Sequence, residues 1–540
     1  MQSRPPSRFA IGAMAGLLAV VLSAAPASAS TRSHGPAALG QGPGGSKVEM
    51  AFFEQWGIYG RGFDLANADN EGEIGDLTDL DYAFGGVEPL SGASDNPSGV
   101  LAVPKTPIQE DPTKPNYNPV VCSSLDIWAD YQTPYLTPIS GPNGQPEANS
   151  NATTGLAGNF EQLSELKAKY PNLKVIMSLG GYNGSAFFSA AASTPAARQA
   201  FVQSCIDMYI LGDPGAAVGD QGLPVTGDEP PFLPNGTTAG LFSGFDIDWE
   251  YPGNNNGAPG NMYSPADTED LVLLMQDFRS QLAALSRTTG QQYTLTVELP
   301  AGTQNAVDED PAGLSRWVND EVVMDYDFQG PWDSTGPTNF ESNLYESPNA
   351  PNTTAEPLIS VSSTVAYYEH RGVPPWQLVL GLPYYGHGWT GVAPGNDYGL
   401  YEPATGPATS PDMTDQGTYL AGLDGADPAG TSDYYELAAC PSQGVSSGGT
   451  NGCTAQGTSG FSWHFDPVTG ASWLYNPTTE TFWSIENPAE VFEKARYIVY
   501  QGLAGASVWA LEGDSQNALT SALTAGLAQG AHSGPGGSEG

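Results

Sequence analysis

The densest chemistry in the chain lies between Ser243 and Gly253, where the sequence reads SGFDIDWEYPG. Asp246, Asp248 and Glu250 recur at every second position, with Phe245, Ile247 and Trp249 between them or beside them. In an extended strand successive side chains point to opposite faces, so the acids share one face and the apolar residues the other. Phe, Ile and Trp in such a row call for burial, which argues against a solvated acidic stretch. Three like charges this close cannot all ionise easily, so one pKa must rise. A carboxylic acid kept protonated near neutrality is what general-acid catalysis needs.

Such a strand has to be held by others. Short apolar runs fall at Val48–Phe53, Leu80–Phe84, Lys174–Ser178, Leu241–Asp248, Tyr293–Glu298, Val322–Tyr326, Leu378–Pro383 and Ala506–Leu511. Helical patterns follow several of them, at Phe160–Tyr170, Ala196–Leu211, Thr268–Ser286 and Val361–Arg371. Alternating strands and helices predict an α/β fold with a parallel sheet, and eight units suit a closed (β/α)8 TIM barrel. The acids of the fourth run would then converge at the barrel mouth.

One interval is too long for a simple connection. From about Gly386 to Glu486 the chain becomes aromatic and rich in Gly and Thr. It holds FSWHFDPVTGASWLYNPTTETFWSIE, which predicts short strands with turns at Asp466-Pro467 and Asn476-Pro477. Asn487, Pro488 and Glu490 predict an N-cap, a first helical residue and a capping box for a helix running to Gln501. The expected organisation is a barrel over 47–385, an inserted α+β module over 386–486, and barrel completion over 487–524. Residues 30–46 and 525–540 are expected to be loose.

The first 29 residues have the three parts of a secretory leader. Arg4 and Arg8 precede an apolar run, and Ala27-Ser28-Ala29 is a small-x-small cleavage site. The formal charge is −42, and loss of those two arginines makes it more negative by two. So acidic a chain repels nucleic acid and anionic membranes, whereas a neutral substrate meets no such barrier. Four cysteines in a secreted chain suggest two disulfides. Cys440 and Cys453 share one Gly/Ser-rich stretch and are the expected pair, which leaves Cys122 with Cys205. Neither a CxxC spacing nor a His cluster accompanies them, so metal binding is the poorer reading.

FDIDWE resembles the end of the D-x-x-D-x-D-x-E signature of glycoside hydrolase family 18, the chitinases. Other segments follow in that family's order: EQWGIYGRGF at 54–63, LTDLDYAFGGV at 77–87, MSLGG at 177–181, MDYDFQGPW at 324–332, LGLPYYGHGW at 380–389 and ASVWALEGD at 506–514. The resemblance spans roughly residues 47–524 and supports the count of eight strands. The insertion is similar to the module that bacterial exo-type, processive chitinases of the family carry between strands seven and eight. The resemblance implies a secreted, monomeric enzyme acting on chitin and chitooligosaccharides, with no cofactor. It further implies a retaining, substrate-assisted mechanism with Glu250 as acid and base, Asp248 on the substrate's N-acetyl group, Asp246 tuning Asp248, and Tyr326 on the acetamide carbonyl. Met324, Asp327 and Tyr385 would shape the sugar site, and Phe84 and Trp509 would line it. Trp56, Tyr182 and Trp332 would be sugar platforms.

Three positions depart from the family. Ser243 replaces the signature's first Asp, which is expected to change the charge balance around Asp246 and Asp248. Phe52 replaces a Tyr, and His387 stands where an Arg is usual and has no assigned role. The competing readings are an endo-β-N-acetylglucosaminidase acting on N-glycans and a chitin-binding lectin. Lectin relatives usually lose the acid that Glu250 supplies here.

Overall fold

A computed structural model describes residues 45–59, 61–90, 108–109, 114, 118–134, 139, 155–213, 235–351, 360–409, 429–439, 460–514 and 516–532. The expected leader, Cys440 and Cys453 lie outside them.

Eight parallel strands close a barrel. They are β1 (Val48–Glu54), β2 (Asp79–Pro89), β4 (Lys174–Gly180), β5 (Gly244–Asp248), β6 (Thr294–Pro300), β7 (Asp320–Met324), β8 (Leu378–Pro383) and β15 (Gly505–Trp509). The neighbours run β1-β15-β8-β7-β6-β5-β4-β2, and β2 pairs back onto β1. The expected (β/α)8 barrel is therefore present, with each predicted run inside or overlapping a strand. Four runs extend past their strands, by one residue at Tyr293 and by two at Ala510 and Leu511, and in the other two cases at the site itself. Leu241–Ser243 precede β5, and β7 stops at Met324, which leaves Tyr326 on the following loop.

β3 (Val120–Ser124) was not foreseen. It pairs antiparallel with the far half of β2. Cys122 on this strand is disulfide-bonded to Cys205 at the end of the helix Pro195–Cys205, across 83 residues of sequence. That is the second of the two expected pairs.

The outer faces of the strands pack on helices. Phe245 meets Phe278 of the helix Asp267–Thr289 at 5.3 Å between centroids, and Trp249 stacks on Phe188 at 5.3 Å. Gly244 allows β5 and β6 to come together, since a Cβ there would sit 2.0 Å from the Thr294 carbonyl oxygen.

After β8 the chain enters a second, antiparallel sheet. Its strands are β9 (Tyr385–Thr390), β10 (Gly406–Pro407), β11 (Thr431–Asp433), β12 (Ser462–Asp466), β13 (Ala471–Asn476) and β14 (Thr481–Ile485). They are ordered β10-β9-β14-β13-β12, with β11 also on β9. The predicted turns join β12 to β13 and β13 to β14. Leu474, Trp483 and Ile485 belong to the same buried cluster as the barrel's outer layer.

Helix Pro488–Gln501 then returns the chain to the barrel. Asn487 caps it by accepting from the Ala489 and Glu490 amides. The expected capping box does not form, because the Glu490 carboxyl bonds Ser472 instead. Lys494 of this helix is fully buried and donates to Glu486 and, at 2.8 Å, to the Ser342 hydroxyl. Arg61 makes a second tie, reaching Glu54 of β1 at 2.5 Å and Asp433 of β11 at 2.9 Å.

Buried acids are spread through the fold. Burial pushes Glu49, Asp130 and Asp320 up to about 7, Glu309 up to about 8 and Glu73 up to about 10. Unfolding returns each to its ordinary value near 4, so above that pH the unfolded state binds fewer protons than the folded one. Their contribution is full below the unfolded values and is lost as pH rises through the folded ones. The midpoint of urea unfolding should therefore be lower at pH 9 than at pH 5. Equal midpoints across that range would contradict the assignment.

Candidate active site

β5 carries Asp246 and Asp248, and Glu250 follows two residues beyond its C-terminal end. Asp246, Asp248 and Glu250 are all buried, at 0%, 4% and 8% exposure. Asp246 lies level with Ser178 of β4 and Thr296 of β6 in the strand register. Both hydroxyls donate to it, Ser178 to Oδ2 at 2.7 Å and Thr296 to Oδ1 at 2.8 Å. One carboxylate is thereby held from both neighbouring strands.

The backbone around Glu250 is pinned as well. The Ser185 hydroxyl accepts from the Glu250 amide at 2.9 Å and lies 3.1 Å from the Asp248 carbonyl. Asn261 donates its side-chain amide to the Glu250 carbonyl at 2.9 Å.

The environment separates the acids in proton affinity. Burial raises Asp246 to about 6 against the two hydroxyl bonds that favour its charge. Asp248 lies well above the ordinary carboxylate range, through burial first and then through the charges of Glu250, Asp246 and Asp81. Burial raises Glu250 to about 7, opposed by a hydrogen bond with Tyr251 and reinforced by the charge of Asp327. At this proximity the protons belong to the group as much as to single residues. Asp248 Oδ1 is buried without a hydrogen-bond partner, so an acceptor is left over for an incoming N–H.

Two further acids, which the sequence pattern did not single out, crowd against Asp246. Asp81 of β2 and Glu298 of β6 are buried, and all four of their carboxyl oxygens lack a partner. Both are pushed well above the ordinary range by burial and by their acidic neighbours. Their signal was the alternation within DLDYAF and TLTVELP, which carries an acid on the inward face of an otherwise apolar strand.

Tyr326 and Asp327 lie on the loop after β7. Burial, then the charges of Glu298 and Asp248, keep the Tyr326 phenol protonated. Asp327 takes a left-handed backbone conformation, φ 58°, and its side chain is half-exposed. Its position opposes ionisation, but hydrogen bonds from His387 (2.8 Å) and Tyr385 (2.6 Å) outweigh this and lower its pKa. His387, which the sequence left without a role, thus belongs to the site. Met324 ends β7 beside Pro300, half-buried.

The aromatic residues divide into two groups. Phe84 stacks on Trp509 at 5.5 Å, Trp509 packs on Phe52 at 5.1 Å, and Trp56 stacks on Phe84 at 6.1 Å. Trp56 is only 7% exposed, so its ring is packed inside the protein where a sugar platform was expected. Tyr182 and Trp332 do offer open faces, at 44% and 61% exposure. Glu250's charge raises the Tyr182 phenol further above the shift that burial gives it.

Ser243 sits just before β5 and accepts from Lys167 at 3.1 Å, whereas the partners of Asp246 are Ser178 and Thr296. The charges that act on Asp248 come from Glu250, Asp246 and Asp81.

The profile of the family described as "Glycosyl hydrolases family 18" matches residues 49–514, and the chain belongs to that family. It is 30% identical to "Chitinase C" of Streptomyces lividans over 88% of this chain and 59% of the relative. It is 28% identical to "Chitinase A1" of Niallia circulans over 89% of this chain and 58% of the relative. The chain thus spans about three-fifths of the length of these relatives. Among solved structures, the catalytic domain of a psychrophilic chitinase B from Arthrobacter TAD20 superposes with a TM-score of 0.68 at 30% identity, covering 89% of this chain and 95% of that one.

The hydroxyl pair on Asp246 generates a prediction. Thr296→Val keeps the shape and removes one donor, which leaves a buried carboxylate oxygen unsatisfied at a cost of about 1–3 kcal/mol. The loss raises the folded pKa of Asp246, so the destabilisation should be larger at pH 8 than at pH 5. Denaturant unfolding at the two pH values measures this, and an equal cost at both would show that Thr296 does not hold the charged form.

Proposed function

We propose that the chain is a secreted chitinase that hydrolyses β-1,4-linked N-acetylglucosamine polymers with retention, assisted by the substrate's own N-acetyl group. The observation that carries this reading is the pair at the mouth: Glu250, raised to about 7, beside Asp248 with an unpartnered buried oxygen. The chitinase names of the relatives support the substrate class.

Glu250 arrives protonated and gives its proton to the glycosidic oxygen as the bond to the leaving sugar breaks. The acetamide carbonyl oxygen of the remaining sugar attacks the anomeric carbon and closes an oxazolinium ring. Asp248, protonated at rest, passes that proton to Asp246 as the ring closes; its Oδ1 accepts the acetamide N–H, its carboxylate offsets the developing positive charge, and the proton returns when water opens the ring. Tyr326, kept protonated, donates to the acetamide oxygen and aligns it for attack. Glu250, now ionised, takes a proton from the water that opens the ring, and the original proton inventory is restored. Asp246 sets how readily Asp248 ionises. Phe84 and Trp509 provide the apolar floor for the sugar, and Tyr182 and Trp332 provide stacking faces on the leaving-group side. Met324, Asp327 and Tyr385 shape the same subsite.

Glu250→Gln should fold and still bind chitin oligomers, but lose roughly two to four decades of turnover. Asp248→Asn should also slow the reaction, because an amide cannot offset the oxazolinium charge. Product release from a soluble chitin oligomer and from an N-glycopeptide, compared for wild type and both variants, checks the reading. Wild-type-like turnover by Glu250→Gln would remove the mechanism, and cleavage of the glycopeptide alone would remove the substrate.

A further inference from the structure

Beside the acids of β5, the cleft wall holds a second constellation built from different chemistry. Asp327, Glu341 and His387 each direct one ligand-type atom to a common point, and these atoms lie within 4.8 Å of one another. His387 Nε2 is 2.8 Å from Asp327 Oδ1 and 4.0 Å from Glu341 Oε2. Ligands at 2.0–2.2 Å around a tetrahedral zinc ion lie roughly 3.3 Å apart, between those two separations. A small adjustment of three side chains would therefore close the set.

Glu341 is the independent observation. It is 1% exposed, and neither of its carboxyl oxygens has a hydrogen-bond partner. A buried acid with both oxygens unsatisfied calls for a reason. The nearby cation, Lys494, is already taken by Glu486 and Ser342. Glu341 is also fixed in place, since its amide donates to the Ser484 hydroxyl at 3.0 Å and its carbonyl accepts from the Phe328 amide at 3.0 Å.

The surroundings match what a metal ligand needs. His387 lies on β9 between β11 and β14, and its Nδ1 is 3.3 Å from the Thr431 hydroxyl, a partner that fixes the ring and leaves Nε2 for an ion. Asp327 is oriented by the Tyr385 hydroxyl. The half-exposed Asp327 gives an ion a way in and leaves one coordination position open to solvent. The other carboxyl group of three, Asp81, Asp246 and Glu298, has no nitrogen ligand, and both oxygens of its Asp246 are already occupied by hydroxyl donors.

We propose that Asp327, Glu341 and His387 form a binding site for one divalent transition-metal ion of the zinc class, in the wall of the cleft. One imidazole and two carboxylates balance the charge of such an ion, and the nitrogen favours it over magnesium or calcium. Binding breaks the His387–Asp327 hydrogen bond, releases its proton to the buffer and replaces it with two metal–ligand bonds.

The test is calorimetric titration of ZnCl2 into the metal-free full-length chain in a non-coordinating buffer. The expected result is one equivalent bound. Glu341→Gln, which keeps the shape of a group that has no hydrogen bond to lose, should weaken it at least roughly tenfold. His387→Arg should do the same, because a guanidinium can pair with Asp327 but offers no lone pair. His464→Ala, remote in sequence on β12, should bind as the wild type does. Thermal unfolding of each variant confirms that it is folded. No stoichiometric event in the wild type, or undiminished binding in folded Glu341→Gln or His387→Arg, would overturn the site. Hydrolysis of chitin plays no part in this readout, so its failure and that of the proposed activity are distinguishable.

Discussion

The site depends on the cost of taking carboxyl groups out of water. Five of them, Asp81, Asp246, Asp248, Glu250 and Glu298, are buried inside one barrel. An unpaired carboxylate in such a place costs several kcal/mol after relaxation. Protonating an acid with an ordinary value of 4.5 at pH 7 costs roughly 3.4 kcal/mol, at about 1.36 kcal/mol per unit. Neutralisation is the cheaper course for most of the group. The exception is Asp246, where two hydroxyl donors favour the charge and burial raises it only to about 6. The column therefore sorts itself into members that keep protons and one that gives its proton up more readily, and Glu250 at the rim is among the former.

The second sheet is built into this arrangement. It begins one residue after β8 and brings Tyr385 and His387 directly onto Asp327. Glu486 at its end is clamped by the buried Lys494, and Arg61 ties β11 to β1. The wall of the cleft is thus anchored at β1, at the loop after β7 and at the helix Pro488–Gln501. A loosened wall would change the pairing of Asp327, whose charge acts on Glu250.

Much of this was legible in the residues. FDIDWE announced a strand with acids on one face because its alternation is strict and its apolar partners need burial. The barrel strands were legible as apolar runs, and Asn487-Pro488 marked the return helix. The lateral partners were not. Ser178 and Thr296 come from strands far away in sequence, and only the strand register shows that they meet Asp246. Glu298 and Asp81 read as isolated acids in apolar runs until the barrel closes around them. Trp56 was misjudged because motif position gives the end of a strand but not which way an indole turns; here it turns onto Phe84. The partner of Ser243 was not legible either, since Lys167 comes from a helix far away in sequence.

The most direct measurement is the titration of Glu250 itself. Side-chain carboxyl ¹³C NMR of glutamate-labelled protein, with Glu250→Gln assigning the resonance by difference, follows its protonation across the pH range. The account predicts a midpoint near 7, as burial in the barrel mouth demands. A midpoint near 4.5, the value of a solvated glutamate, would show that the mouth does not hold Glu250 as an acid and would contradict the account.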